Sequence, residues 1–197
     1  MMINTHKALA QNFIRNVEKD KIFLISESNF IWGNLKPDSM SKYKFKKHYF
    51  EESFDMIVHK IQFLASLTID DIYYRYTMKK FNQELGVICH FLTDYFCVPH
   101  FQRWEFKNAN NMKEHILYEN ELNKFTKVYI LKREINTKLT LKDIRNYILN
   151  LQEEYDGSIS FEKDILYSSH ICNTVINLIL EEVILNQKLK ESISLVI

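Results

Sequence analysis

Residues that form tight turns are scarce in this chain, which has three glycines and two prolines among 197 residues. Hairpins depend on the turn chemistry of such residues, so a sheet-rich fold would need more of them. Long stretches instead carry apolar residues at helical spacing. The sequence therefore predicts an all-α fold, with residues 1–197 forming a single compact multi-helix domain.

The composition limits the class of protein and its partners. With 46% hydrophobic and 26% charged residues, the chain can form one substantial core. A formal net charge of +1 gives no broad basic surface of the kind that nucleic-acid-binding domains carry. We find neither a secretion signal in residues 1–30 nor a run of roughly 20 apolar residues that would span a membrane. These features predict a cytoplasmic protein.

The three cysteines, Cys89, Cys97 and Cys172, form no Cys-x-x-Cys pair. Their number and spacing argue against a disulfide framework and against a structural zinc knuckle. We therefore expect the three thiols to pack in the core as small hydrophobic side chains.

Apolar periodicity predicts where the helices lie. They are expected at about 4–17, 50–64, 70–96 with a break near 77–80, from 112 to beyond 122, at 140–155 and at 161–190. Pro99 is expected to end the helix at 70–96, because proline disfavours a helical conformation in the residue before it. The segment 25–47, which holds Gly33, Pro37 and a basic aromatic run, is predicted to be irregular.

The predicted central helix carries two polar side chains in apolar surroundings. His90 and Asp94 lie four residues apart, so they share one face of a helix that is apolar on nearly every side. A buried carboxylate without a partner is costly, so Asp94 needs a cation or a hydrogen-bond network. His115 and Glu119 repeat this spacing, and His100 lies between the two pairs. Five metal-type ligands within thirty residues predict a buried metal site.

Three further residues extend this set to eight nitrogen and oxygen donors. They are His6 at the start of the first predicted helix, Asp38 directly after a proline, and His48. Imidazole and carboxylate without thiolate suit zinc, iron or manganese in an open catalytic site, which indicates hydrolysis. A lone histidine is more often a core or surface residue, and only the joint spacing favours metal binding. His59 and His170 lie on polar faces and are assigned to solvent.

In chain order, the motifs are His6, Asn34-x-x-Pro37-Asp38, His48, Gly86-x-x-x-His90-x-x-x-Asp94-x-x-x-x-Pro99-His100 and His115-x-x-x-Glu119. This series covers roughly residues 1–125 and resembles the bacterial zinc-dependent phospholipase C family. The architecture is also similar to that of the fungal single-strand-specific nucleases, which arrange three metals in an all-helical fold and cleave phosphodiesters. The resemblance therefore implies an all-α domain with a polymetal site between helices. The residue pattern predicts additional helices at 126–197.

By position, the resemblance implies how the ligands divide among two or three zinc ions. One ion would be held by Asp38, His48 and His90, a second by His6 with Asp94 bridging from the first, and the remaining one by His100, His115 and Glu119. The resemblance also implies that Asp38 orients or deprotonates the attacking water. Family members hold the ion near His6 with the amino group and carbonyl of an N-terminal tryptophan, and Met1 stands in that place here.

Three functions are compatible with these residues. The first is a phosphodiesterase acting on a phospholipid headgroup or a small phosphodiester, with basic residues near a membrane surface or simply solvated. The second is a single-strand nuclease with aromatic side chains stacked on bases, which the near-neutral charge disfavours. The third is a helical protein that keeps metals for stability or partner binding without catalysis. The basic residues are Lys42, Lys44, Lys46 and Lys47, and the aromatic ones Tyr43, Phe45 and Trp104.

Overall fold

The computed structural model describes residues 1–39, 48–104, 109–129 and 138–195, and these ranges contain helices and no strand. A 3-10 turn, Ile22–Leu24, precedes the second α-helix, and a π-helix, Ile72–Tyr76, follows the fourth. The α-helices are α1 (Ile3–Asn16), α2 (Glu27–Ser39), α3 (Phe50–Ala65), α4 (Ile69–Asp71), α5 (Met78–Tyr95), α6 (Val98–Phe101), α7 (Ala109–Val128), α8 (Ile144–Glu154) and α9 (Phe161–Ser194). The predicted all-α fold is confirmed.

The break predicted near 77–80 falls at Thr77. Its φ of 76° lies in the left-handed region, which ends the π-helix. The Thr77 hydroxyl then accepts a hydrogen bond of 3.2 Å from the backbone N–H of Lys80 and caps α5. One residue therefore ends the first helical segment and starts the next.

The prediction that the segment 25–47 is irregular is wrong over residues 27–39. These residues are helical, and Pro37 lies inside α2. Burial of the α2 face that carries Phe30 and Gly33 outweighs the cost of one lost backbone hydrogen bond near the helix end. The end predicted for the central helix before Pro99 is confirmed to within one residue, since α5 stops at Tyr95. Pro99 itself lies in the first turn of α6, where its missing N–H is least costly. Residues 40–47, with the four lysines, Tyr43 and Phe45, lie outside the described residues.

Helix α5 forms the centre of the molecule. Every residue from 85 to 99 is buried, and α5 packs against α1, α2, α3, α6 and α9. The buried hydrophobic side chains form one cluster, which includes the three cysteines as unpaired thiols. Among the described helices, none has the length and apolar character needed to cross a bilayer. Polar side chains in the part of α5 from residue 85 onward therefore lie in the interior of the protein.

Candidate metal centre

Helices α2 and α5 pack backbone against backbone at two glycines. A Cβ on Gly86 would lie 2.3 Å from the carbonyl oxygen of Phe30 and 2.5 Å from the backbone nitrogen of Asn34. A Cβ on Gly33 would lie 2.2 Å from the carbonyl oxygen of Gln83. No side chain fits at either position, so glycine is what permits this close approach.

This approach orients the imidazole of His90. The carbonyl oxygen of Asn34 lies 2.7 Å from Nδ1 of His90 and can only accept a hydrogen bond, so Nδ1 carries the proton. In the neutral ring the other nitrogen, Nε2, then has a free lone pair, and it faces Nδ1 of His48 at 3.1 Å and Oδ2 of Asp94 at 3.3 Å. The backbone of α2 therefore selects the tautomer of His90 that can bind a cation.

The first ligand group consists of His48, His90 and Asp94. Nδ1 of His48 lies 3.1 Å from Oδ2 of Asp94, and all three ligand atoms lie within 4.8 Å of one another. Ligand atoms around one tetrahedral zinc ion, each at about 2.0–2.1 Å from it, are roughly 3.3 Å apart. The observed spacings of 3.1–3.3 Å fit ligands of one ion.

The second ligand group consists of His6, Asp38 and His90. The His6 ring stacks on that of His90 with centroids 4.0 Å apart, and its Nε2 lies 3.3 Å from Oδ1 of Asp94. Although His6 is fully buried, neither ring nitrogen forms a hydrogen bond with the described residues. Burial, aided by the neighbouring His90, lowers the pKa of His6 to about 4, so the ring is neutral at physiological pH. A neutral imidazole whose Nε2 faces a carboxylate fits a metal ligand.

The third ligand group consists of His100 on α6 with His115 and Glu119 on α7. Oε1 of Glu119 lies 2.8 Å from Nε2 of His115, one turn before it, and 3.3 Å from Nε2 of His100. Burial would raise the pKa of Glu119, but the amino group of Met1, His100 and His115 together hold it well below its usual value. The carboxylate is therefore ionised and available to a cation.

The amino group of Met1 lies between the ligand groups. Its nitrogen is 2.6 Å from Oδ1 of Asp94, 3.1 Å from Oε1 of Glu119 and 2.9 Å from Nε2 of His100. Burial opposes its charge, but the two carboxylates raise the pKa of this amine well above its usual value. Burial also opposes ionisation of Asp94, and the Met1 amine with three histidines holds the pKa of Asp94 well below its usual value. A positive charge is thus held where the carboxylates converge.

The candidate ligand set named from the sequence did not include this nitrogen. The resemblance carried the only signal for it, because Met1 stands where family members have their N-terminal tryptophan. A protonated amine has no lone pair with which to bind a metal ion. The Met1 nitrogen could therefore act as a ligand beside these carboxylates only after losing its proton.

The structure brings all eight candidate ligands into the three ligand groups. The third group has the membership that the resemblance implies. The distances in the first two groups are compatible with the implied division as well, because Asp38 Oδ1 lies 3.7 Å from His48 and 3.6 Å from His90, while Asp94 lies between His48 and His6. His59 is exposed on α3 as expected, whereas His170 is partly buried, with Nε2 2.6 Å from the Tyr147 hydroxyl. Metal binding by the eight residues stays a prediction.

Trp104 does not have the exposed face that stacking on nucleic-acid bases requires. Its side chain is 9% exposed and packs on Tyr118, with ring centroids 5.6 Å apart. Its Nε1 donates a hydrogen bond of 2.9 Å to Oε1 of Gln102. The indole is therefore part of the packing beside the third ligand group.

A cavity of about 340 Å³ opens beside the ligand groups. His48, Asp94 and His100 form one side of it. The rest of the lining combines apolar side chains with carboxylates and an amide, namely Phe50, Glu51, Tyr95, Phe101, Leu149, Gln152 and Glu153. A small molecule in this cavity would contact two of the ligand groups at once.

Seven of the candidate ligands come from five helices, and the eighth, His48, lies just before α3. Fold and site together define an all-helical protein with a candidate polymetal centre. Comparison with protein families gives a match to the zinc-dependent phospholipase C family over residues 5–162. The chain belongs to this family. No curated protein and no solved structure matches it.

Proposed function

We propose that this protein is a zinc-dependent phosphodiester hydrolase of the phospholipase C type, acting on a phospholipid headgroup or a small soluble phosphodiester. The observation that carries the proposal is the convergence of eight imidazole and carboxylate side chains beside a cavity of about 340 Å³. Family membership supports the same reaction class.

The three ligand groups would hold two or three zinc ions. Zinc bound there would supply a water of lowered pKa and would stabilise the negative charge on the phosphate oxygens. The chain's own contribution is the orientation of the donors. The Asn34 carbonyl fixes His90, and burial keeps His6 neutral. The fully buried Asp94 places one oxygen toward His48 and the other toward His6.

Asp38 is the residue that we assign to the attacking water. Its side chain is 25% exposed, whereas those of His48 and Glu119 are 15% and 12% exposed and those of His6, His90 and Asp94 are fully buried. Its Oδ1 lies 3.7 Å from Nδ1 of His48 and 3.6 Å from Nε2 of His90, beyond hydrogen-bonding distance, so the carboxylate faces the candidate centre and can accept a hydrogen bond from water. A carboxylate in this position can orient the water and take its proton.

The cavity suits the headgroup side of the substrate. Phe50, Phe101 and Leu149 provide apolar contacts, and Glu153 provides negative charge, whereas Glu51 is paired with Arg103. A carboxylate at the edge of an aromatic recess favours a small, positively charged headgroup over an anionic one.

The test is hydrolysis of p-nitrophenyl phosphorylcholine by zinc-loaded protein. We expect turnover that is lost after chelation and restored by zinc. Asp38→Asn should reduce kcat by about 10²–10⁴-fold, the range for loss of a general base. The matched control is Asp55→Asn, since this aspartate is 74% exposed on α3 and should leave the rate unchanged. Zinc content is measured on each variant.

Three results would contradict the proposal. Equal rates with and without chelator would exclude metal-dependent hydrolysis. Cleavage of single-stranded oligonucleotides without cleavage of the ester would favour a nuclease. Zinc binding with no hydrolysis of any phosphodiester or phosphomonoester would favour a non-catalytic metal-binding protein.

A further inference from the structure

A buried carboxylate that belongs to none of the ligand groups connects three segments of the chain near the third ligand group. Asp164, in the first turn of α9, has no exposed surface. Its Oδ2 accepts hydrogen bonds from the Val98 backbone N–H at 3.3 Å and the Tyr118 hydroxyl at 2.9 Å, and its Oδ1 accepts one from the Tyr155 hydroxyl at 2.5 Å. Three donors from α6, α7 and the segment after α8 thus converge on one side chain.

Two of these donors are neighbours of candidate ligands. Val98 precedes His100 by two residues in α6, and Tyr118 directly precedes Glu119 in α7. Since both donors bind the same oxygen of Asp164, the carboxylate fixes the distance between α6 and α7 at the place where their ligands meet.

The connection between α8 and α9 supports α6 from the same side. The Gly157 carbonyl accepts a hydrogen bond of 2.8 Å from Nε2 of Gln102. A Cβ on Gly157, whose φ is +64°, would lie 2.4 Å from the Phe101 ring. The Phe101 ring also packs on that of Tyr155, with centroids 5.1 Å apart. These contacts hold the two residues that follow His100 against the segment that leads to Asp164.

We propose that Asp164 is a positioning residue for the third ligand group: its carboxylate holds α6 against α7 so that His100 and Glu119 meet on one ion. The inference rests on the proposed function in one respect, namely that the third ligand group binds a metal ion. Asp164 lies two residues beyond the end of the family match at 162, so the family comparison does not extend to it. Outer partners of metal ligands typically change metal affinity by about 10–100-fold when removed.

The experiment measures zinc affinity by competition with a chromophoric chelator. Asp164→Asn keeps the shape of the side chain but loses the carboxylate, and we expect it to weaken one ion by about 10–100-fold. The matched control is Asp156→Asn, because this aspartate lies on the same connection, is exposed and, among the residues that the structure describes, pairs with Lys163 and Ser158. The control should retain every affinity.

A double-mutant cycle separates positioning from general loss of structure. Glu119→Gln should weaken the same ion as Asp164→Asn, so the double variant should be no weaker than Glu119→Gln alone within about twofold. His6→Gln acts on another ligand group, and its effect should add to that of Asp164→Asn. Simple addition of the Asp164 and Glu119 effects, or unchanged affinities in Asp164→Asn, would overturn the proposal.

If Asp164→Asn does not fold, Tyr118→Phe decides. It removes one hydroxyl and keeps the ring that packs on Phe161 at 4.8 Å. We expect about fivefold weaker binding of the same ion, as for one hydrogen bond, and unchanged affinity would overturn the proposal. Wild-type protein that binds no zinc would overturn this inference together with the metal site. Zinc binding without hydrolysis contradicts only the proposed function.

Discussion

Replacing Gly86 by alanine tests how the contact between α2 and α5 builds the site. The new Cβ would lie 2.3 Å from the Phe30 carbonyl oxygen, about 1.1 Å inside the 3.4 Å at which ordinary contact begins. Its neighbours are backbone atoms of α2, which cannot turn away as a flexible side chain does. The two helices must therefore separate by about 1 Å. The 2.7 Å hydrogen bond from His90 Nδ1 to Asn34 would then exceed 3.5 Å and be lost.

The expected magnitude follows from three effects. Overpacking costs about 1–3 kcal/mol. The lost hydrogen bond costs about 1 kcal/mol, and the better helix propensity of alanine returns about 1 kcal/mol. The net loss of about 1–3 kcal/mol should lower the Tm by roughly 2–12 °C for a chain of this size. Because His90 loses the bond that sets its tautomer, zinc binding by the first ligand group should weaken by about 10–100-fold.

The assay is thermal unfolding by circular dichroism with and without zinc, together with zinc titration. The control is Lys79→Ala, which places alanine at an exposed position in the first turn of the same helix and should change neither quantity. A Gly86→Ala protein with unchanged Tm and unchanged zinc affinity would refute the reasoning that the glycine contact positions His90.

Two further predictions concern the ions and pH. Zinc at 100 times its Kd should stabilise the folded state by about 2.7 kcal/mol per site. Removing the zinc with a chelator should therefore lower the Tm by roughly 5–10 °C per ion. An unchanged Tm would argue against binding of zinc to the folded protein. Burial raises the pKa of Asp164 to about 7 from 3.8, so its proton stabilises the fold at low pH, and this contribution is lost as pH rises through 7. Burial also raises the pKa values of Tyr118, Tyr155 and Cys97, which therefore do not titrate in this range. The measurement is denaturant titration of chelator-treated protein from pH 5 to 8. The unfolding free energy of wild type should fall by about 2–3 kcal/mol relative to that of Asp164→Asn over this range. A difference between the two proteins that does not change with pH would contradict the raised pKa of Asp164.

The local part of the site could be predicted from the sequence. His115 and Glu119 lie one helical turn apart, and the structure places their ligand atoms 2.8 Å from each other. His90 and Asp94 have the same spacing on α5 and lie 3.3 Å apart. Helical geometry fixes such pairs once the helix is recognised, because side chains at i and i+4 share one face.

Asp38 illustrates where prediction from local pattern failed. Gly33 and Pro37 favoured an irregular segment, yet α2 is helical through Ser39 and presents Asp38 from its last turn. Local propensity opposed this helix, and its burial against α5 outweighed that propensity. The interaction partner that decides the structure lies about fifty residues away in the chain.

Several contacts had no signal in the spacing of residue types. The Asn34 carbonyl that orients His90 is a backbone group, which every residue carries. The position of the Met1 amino group near Asp94 depends on how α1 packs, and the three hydrogen bonds of Asp164 join separate helices. None of these partners is set by a period along one helix.

The amino-acid sequence by itself determined the all-α class and the two pairs of candidate ligands that share a helix. The first follows from the scarcity of turn-forming residues and the second from the 3.6-residue period. Only the tertiary structure decided which candidate ligands face one another. That choice depends on distances between helices, which steric contacts such as the one at Gly86 set to within an ångström and which no pattern along a single helix contains.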